Sequence, residues 1–333
     1  MLYIEPKSTD AAFHFAAEEF CMSSPGSGPI FMTWHTGKCV MLGCNQIAHA
    51  EIDVAEAERE KIQIVRRSSG GGTIFTDPGT LLFTVILPLP FDGASDAKKL
   101  ERDFAAAPIV RALSQMGLDA RLEGRNDIML GCGKISGLAQ YVKKNVLCTH
   151  GSLLYDADLD ALSRVLRADE DKIRSKALRS ARSRVTNIAF HMDVPMTFIE
   201  FWSELKKILF KSLDITEYVL TDRDIAQIET IRREKYANPD WTYGRAPRFS
   251  FRNRRRFPMG TVEVFLDISK GIVESCRIHG DFLGLVPVRA LEESLEGRPY
   301  RQSDMERALG ELDDPERYLG GITGEELILC LFP

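Results

Sequence analysis

Apolar positions recur along the chain in two rhythms. Residues 61–65 and 80–87 are short runs rich in branched and aromatic side chains, which predicts strands. Across residues 95–116, Leu100, Phe104, Ala107, Val110, Leu113 and Met116 are spaced by three or four, which predicts a helix kinked or split at Pro108. Residues 158–167 predict a shorter amphipathic helix, apolar at Leu159, Leu162, Val165 and Leu166. Thr197-x-x-Glu200 and Thr221-x-x-Asp224 are capping boxes that open two more, carrying Trp202, Leu205 and Ile208, then Ile225, Ile228 and Ile231. Residues 238–247 are dense in Asn, Pro, Asp and Gly and read as a linker. Beyond it Val262, Val264, Leu266 and Ile268 alternate with Thr261, Glu263 and Asp267, the chain turns at Gly271, and a second strand returns. Short helices follow near Pro287, Ser303 and the Thr323/Glu326 cap. The pattern is α/β (α+β): a larger domain over residues 1–240, a linker at about 238–247, and a small α+β domain over 248–333.

Composition narrows the class. The 333 residues are 44% hydrophobic, enough for two cores, and carry a net charge of -5. A weakly acidic chain argues against nucleic acid as a partner, because phosphate neutralisation needs a basic face. The seven cysteines are odd in number and include no CxxC pair, which fits a reducing, cytoplasmic setting without disulfides or structural zinc. No secretory signal is visible at the N-terminus, and the longest apolar run, residues 81–90, is too short to span a membrane.

Three segments carry candidate chemistry. Arg66-Arg67-Ser68-Ser69-Gly70-Gly71-Gly72-Thr73-Ile74-Phe75-Thr76-Asp77 places two guanidinium groups beside three glycines. Glycines permit close backbone approach, successive N–H groups can cup an anion, and arginine suits phosphate. A glycine-rich turn beside two solvated arginines explains the same residues equally well. The segment is neither a P-loop nor a dinucleotide fingerprint. The second segment runs from Gly124-Arg125-Asn126-Asp127-Ile128 to Gly133-Lys134-Ile135-Ser136-Gly137-Leu138-Ala139, with Lys134 flanked by glycine and apolar neighbours. The third is Thr149-His150-Gly151-Ser152-Leu153-Leu154.

In this order, and together with Ser183-to-Ile188, the aromatic linker and Gly280-Asp281-Phe282, these segments resemble the lipoate–protein ligase A family over nearly the whole chain. The resemblance implies the mixed-sheet catalytic domain shared with biotin–protein ligases and class II aminoacyl-tRNA synthetases, plus an accessory C-terminal domain. It implies an ATP-dependent ligase that forms lipoyl-AMP and passes the lipoyl group to a lysine of an acceptor, such as a 2-oxoacid dehydrogenase E2 subunit or the glycine-cleavage H protein. It implies Lys134 as the catalytic residue. For ATP and the adenylate it implies Arg67, Gly70, Gly71, Gly72, Thr73, Ile74, Phe75, Asn126, Asp127, Lys134 and His150. For lipoate it implies Lys134 and Ser69, and for Mg²⁺ it implies Asp127. Thr80 and Leu138 depart from the family pattern beside the motifs, which bears on acyl-chain preference. The rival within the superfamily is an octanoyl or lipoyl transferase working without ATP through a cysteine, with Cys132 and Cys148 as candidates; their other fate is that of small buried apolar residues. The run Arg252-Asn253-Arg254-Arg255-Arg256 could steer an acidic acceptor, though most such runs are solvated faces.

Overall fold

The computed structural model describes residues 1–23, 28–89, 97–124, 126–165, 185–243, 249–269 and 271–332. Its contacts divide into two compact units: residues 1–41, 51–65 and 74–238 form the first, and residues 42–50, 66–73 and 239–333 form the second. In chain order the strands are β1 (Leu2–Ile4), β2 (Ile30–Trp34), β3 (Cys39–Leu42), β4 (Gln63–Arg66), β5 (Ile74–Thr76), β6 (Thr80–Pro88), β7 (Ala120–Glu123), β8 (Asp127–Leu130), β9 (Gly133–Lys143), β10 (Val146–Leu154), β11 (Thr216–Glu217), β12 (Phe251–Phe257), β13 (Gly260–Ser269) and β14 (Ile272–Gly280).

The first unit is built on an eight-stranded mixed sheet ordered β11-β1-β2-β6-β10-β9-β8-β7. β1 runs parallel to both its neighbours, and the remaining pairs described are antiparallel. Helix α1 (Ala11–Ser23) packs on β6 and β10, and Phe15, Phe31, Trp34 and Phe83 are almost wholly excluded from water. Burying each such side chain contributes about 1.5–3 kcal/mol.

The apolar rhythm at residues 95–116 becomes a helix from Ala97 to Gln115, with a π-helical stretch over Glu101–Ala106 just before α2 (Ala107–Gln115). Pro108 sits in the first turn of α2. A proline ring clashes with the carbonyl four residues back, and widening the preceding turn relieves the clash. Residues 95 and 96 lie outside the described residues, as do 166 and 167 of the next predicted helix, whose described part is Ala161–Val165. The strand expected at 61–65 begins at Gln63, because Lys61 turns the chain at φ 54°. Both threonine capping boxes form, opening α3 (Phe198–Ser212) and α4 (Asp222–Ile231).

Residues 239–243 of the expected linker are helical: α5 (Pro239–Tyr243) starts on a proline, whose fixed φ suits a first turn, and residues 244–247 lie outside the described residues. In the second unit β12, β13 and β14 form an antiparallel sheet with a bulge at Asp267/Ile268. Val262, Val264, Leu266, Val273 and Ile278 close a core with Leu291 of α6 (Arg289–Leu295), Met305 of α7 (Gln302–Gly310) and Leu327 of α8 (Gly324–Leu331).

A charge cluster ties α1 to its surroundings. Glu19 accepts hydrogen bonds from Lys143 Nζ (2.6 Å), Lys235 Nζ (2.7 Å) and Tyr236 Oη (2.8 Å). Burial alone would raise this carboxyl, but the hydrogen bonds and charges of Lys143, Lys235 and Tyr236 outweigh it and bring the pKa down to about 2. The folded-state value lies below the unfolded one, so the stabilisation is present above about pH 4.5 and is lost as pH falls from there toward 2. Glu19→Gln should lower Tm at pH 7 by about 2–4 °C. The gap from wild type should shrink as pH falls from 5 toward 3 in a series of thermal unfolding curves; a gap independent of pH would contradict the assignment.

Candidate functional site

The predicted site residues fall into two groups, one in each compact unit. At Arg66, the last residue of β4, the chain enters the second unit and continues through Arg67 into the glycine turn. The two arginines, of which the family resemblance singled out Arg67, do different things. Arg66 is 6% exposed and spends its guanidinium on main-chain carbonyls. Nη1 donates to Gly43 (2.8 Å), Cys44 (3.2 Å) and Gln46 (2.6 Å), Nη2 to Thr242 (2.7 Å), and Nε to Trp241 and Thr242 (2.9 and 3.0 Å). Trp241 Nε1 returns a bond to the Arg66 carbonyl at 2.9 Å. Arg66 is therefore a structural hub, and burial pulls its pKa below the usual arginine value.

Arg67 is also buried and turns onto the glycine loop. Its Nε donates to Ser69 Oγ (3.1 Å), and its Nη2 to the Gly70 and Gly72 carbonyls (2.7 and 2.8 Å). The Gly71 N–H is bound by the Phe282 carbonyl, and Gly71 has φ 94°, where a side chain would be strained. Among the described residues the N–H groups of Gly72 and Thr73 make no hydrogen bond to the protein, so these are the donors an anion could meet.

In the first unit, β8 and β9 hold the second group. Lys134 Nζ lies 2.7 Å from Asp127 Oδ1, with both side chains about a third exposed (33% and 37%), so the pair contributes ~1 kcal/mol or less. A side chain at Gly137 would press on the Lys134 ammonium at 3.0 Å, which explains the glycine of the Lys-Ile-Ser-Gly segment. Asn126 Nδ2 donates to the Leu138 carbonyl at 2.6 Å and fixes the corner before β8. Arg125 lies outside the described residues, as do Ser183 and Arg184. Val185 bridges to Lys134, and the Thr186 N–H donates to the Lys134 carbonyl at 3.0 Å. Ile74 and Phe75 stand on β5, with Phe75 buried and paired with Val40 of β3.

His150 sits on β10 opposite Ala139 of β9, buried under α1. Its Nδ1 lies 3.1 Å from Glu18 Oε1, which also accepts from Thr84 Oγ1 at 2.6 Å, and Thr84 accepts from Trp34 Nε1 at 3.1 Å. Sequence reasoning missed Glu18: nothing in an alanine-rich helix marks one glutamate as a histidine partner. It also missed Gln46, whose Oε1 accepts from the Gly43 N–H and the Thr73 hydroxyl.

Cys148 is fully buried beside Glu18, and burial pushes its thiol well above the usual range, the reverse of what a nucleophilic cysteine needs. Cys132 is exposed at the β8–β9 turn. Among the described residues the cluster with metal-binding chemistry is Glu18, Cys148 and His150; Asp127 offers a single carboxylate. No helix among the described residues is long and apolar enough to cross a membrane.

Comparison with known proteins fits this arrangement. Residues 10–210 match the model of the lipoyl protein ligase A/B catalytic domain, and residues 246–331 match the bacterial lipoate protein ligase C-terminus. The lipoate-protein ligase LplJ of Bacillus subtilis is 36% identical over all of both chains. Plasmodium falciparum LipL1 in complex with lipoate has the same fold, with a TM-score of 0.79 over 99% of each chain at 19% identity. A lipoate-protein ligase A bound with ATP superposes with a TM-score of 0.59 at 26% identity, over 73% of this chain and 97% of its own. The mixed-sheet catalytic domain with its C-terminal partner is that of these ligases, and the chain belongs to the lipoate–protein ligase family.

Proposed function

We propose that the chain activates lipoate with ATP to lipoyl-AMP and transfers the lipoyl group to the ε-amine of a lysine on a lipoyl-domain acceptor, a dehydrogenase E2 subunit or glycine-cleavage H protein, in the cytoplasm. The observation that carries this reading is the Lys134–Asp127 pair set in the Gly-Lys-Ile-Ser-Gly strand, in a chain that matches a named lipoate–protein ligase from end to end. We propose residues 1–240 as the catalytic domain and 248–333 as the accessory domain, a division supported by the two family matches.

The chemistry asks for charge neutralisation between two anions. A carboxylate oxygen of lipoate attacks the α-phosphorus, a C–O–P bond forms, and the bond to the β-phosphate oxygen breaks to release pyrophosphate. Lys134 leaves Asp127 to lie between carboxylate and α-phosphate. Arg67 and the N–H groups of Gly72 and Thr73 take phosphate oxygens while Gly70 and Gly71 shape the turn, Ile74 and Phe75 line the adenylate, and Asn126 and His150 complete its surroundings, with Ser69 on the lipoate side. A hard cation binds through one or two carboxylates and the substrate's own phosphates, so the lone Asp127 fits Mg²⁺, which would supply the remaining positive charge. In the second half-reaction the deprotonated acceptor amine attacks the acyl carbon, Lys134 stabilises the oxyanion, and AMP leaves. The buried, proton-holding Cys148 supports this scheme over a cysteine-borne acyl intermediate.

Incubating an acceptor domain with enzyme, ATP, Mg²⁺ and lipoate should add one lipoyl mass by mass spectrometry; equal modification in a parallel tube without ATP would refute the ligase. Lys134→Ala should cut lipoate-dependent pyrophosphate release about 10²–10³-fold, and near-normal release would remove Lys134 from the chemistry. The double variant Cys132→Ser/Cys148→Ala should keep ATP-dependent transfer within a few-fold of wild type, whereas its abolition in a folded protein would favour the transferase.

A further inference from the structure

The loop Gly43-Cys44-Asn45-Gln46 carries no recognised motif, yet it is built against the glycine turn. A Cβ at Gly43 would run into the Gly71 carbonyl oxygen, so the two segments meet backbone to backbone. The Cys44 N–H donates to the Ser69 carbonyl at 2.9 Å, and the Gln46 carbonyl receives Arg66 Nη1 at 2.6 Å. Gln46 is thus pinned through its main chain, and its side chain is buried at 3% exposure.

The orientation of its amide follows from its neighbours. A backbone N–H can only donate, so the end of the amide 2.8 Å from the Gly43 nitrogen must be the oxygen, and the same oxygen receives the Thr73 hydroxyl at 3.1 Å. The Nε2 end is therefore directed away from both. Among the described residues Nε2 donates to no protein acceptor. Nε2 is not among the fully buried polar atoms without a partner, so this end of an otherwise buried amide keeps access to solvent, where a ligand can take its N–H groups. It lies beside Thr73, whose own N–H, like that of Gly72, is unused by the protein. With the Gln46 amide beside them, the unspent N–H groups of Gly72 and Thr73 form a setting for an oxyanion.

We infer that Gln46 is a substrate-binding residue, its Nε2 donating to an oxyanion held at the glycine turn, either a phosphate of ATP or the carboxylate of lipoate. The inference rests on the functional reading above. Gln46→Glu is the discriminating change: the retained oxygen can keep both accepted bonds and the shape, while the donor is replaced by negative charge. We expect a melting temperature within about 2 °C of wild type, a KM raised at least about tenfold for one of the two substrates alone, and, where that substrate is ATP, loss of the ATP-induced rise in melting temperature. The KM that moves identifies the anion. Gln46→Ala, which removes donor and acceptor together, should raise the same KM. Wild-type values within about twofold for both substrates in either folded variant, with the ATP-induced shift intact, overturn the inference. A wild-type enzyme that releases no pyrophosphate with lipoate would refute the functional reading instead, and the ATP-induced thermal shift of Gln46→Glu would still decide the role of Gln46 toward ATP.

Discussion

The buried guanidinium of Arg66 organises the second unit. Arg66 has been taken out of water without a carboxylate among its described partners, and a charge in that position is tolerable only when its fork of N–H groups is fully occupied. Carbonyls from the 43–46 loop and from α5 supply that occupancy. The same contacts fix where β4 ends and where the glycine turn begins. Two sequence-distant segments, near residues 45 and 241, are placed by one guanidinium, and an arginine that reads like a ligand for substrate is consumed by the protein itself.

The two other cations of the candidate site, Arg67 and Lys134, are held by internal partners. Arg67 rests on the carbonyls of Gly70 and Gly72, and Lys134 on Asp127. Arg67 is buried on neutral main-chain acceptors, whereas Lys134 is about a third exposed and faces a carboxylate. Internal acceptors thus hold both charged side chains in place.

Much of the fold was legible because local rules agreed with tertiary ones. The threonine caps at 197, 221 and 323, the β13–β14 hairpin and the long β6 strand each carry their own signal, and each formed. The misread places are those where a distant contact decides. Residues 239–243 look like linker by composition, but Trp241 is anchored by the Arg66 carbonyl and the segment coils into a helix. The rhythm through residues 97–115 announced a helix but not the widened turn that accommodates Pro108. In the site, motif order pointed to Lys134 and the glycine turn. It singled out Arg67 but gave Arg66 no structural role, and it could not find Glu18 or Gln46, because those contacts depend on hydrogen bonds between segments dozens of residues apart.

The meeting of Gly43 with Gly71 limits what can stand at either position. Where two main chains touch and one glycine is also left-handed, no ordinary replacement can adjust the geometry by small steps. In this chain the frame therefore leaves room for variation at the side chains that border it and little at the two glycines themselves.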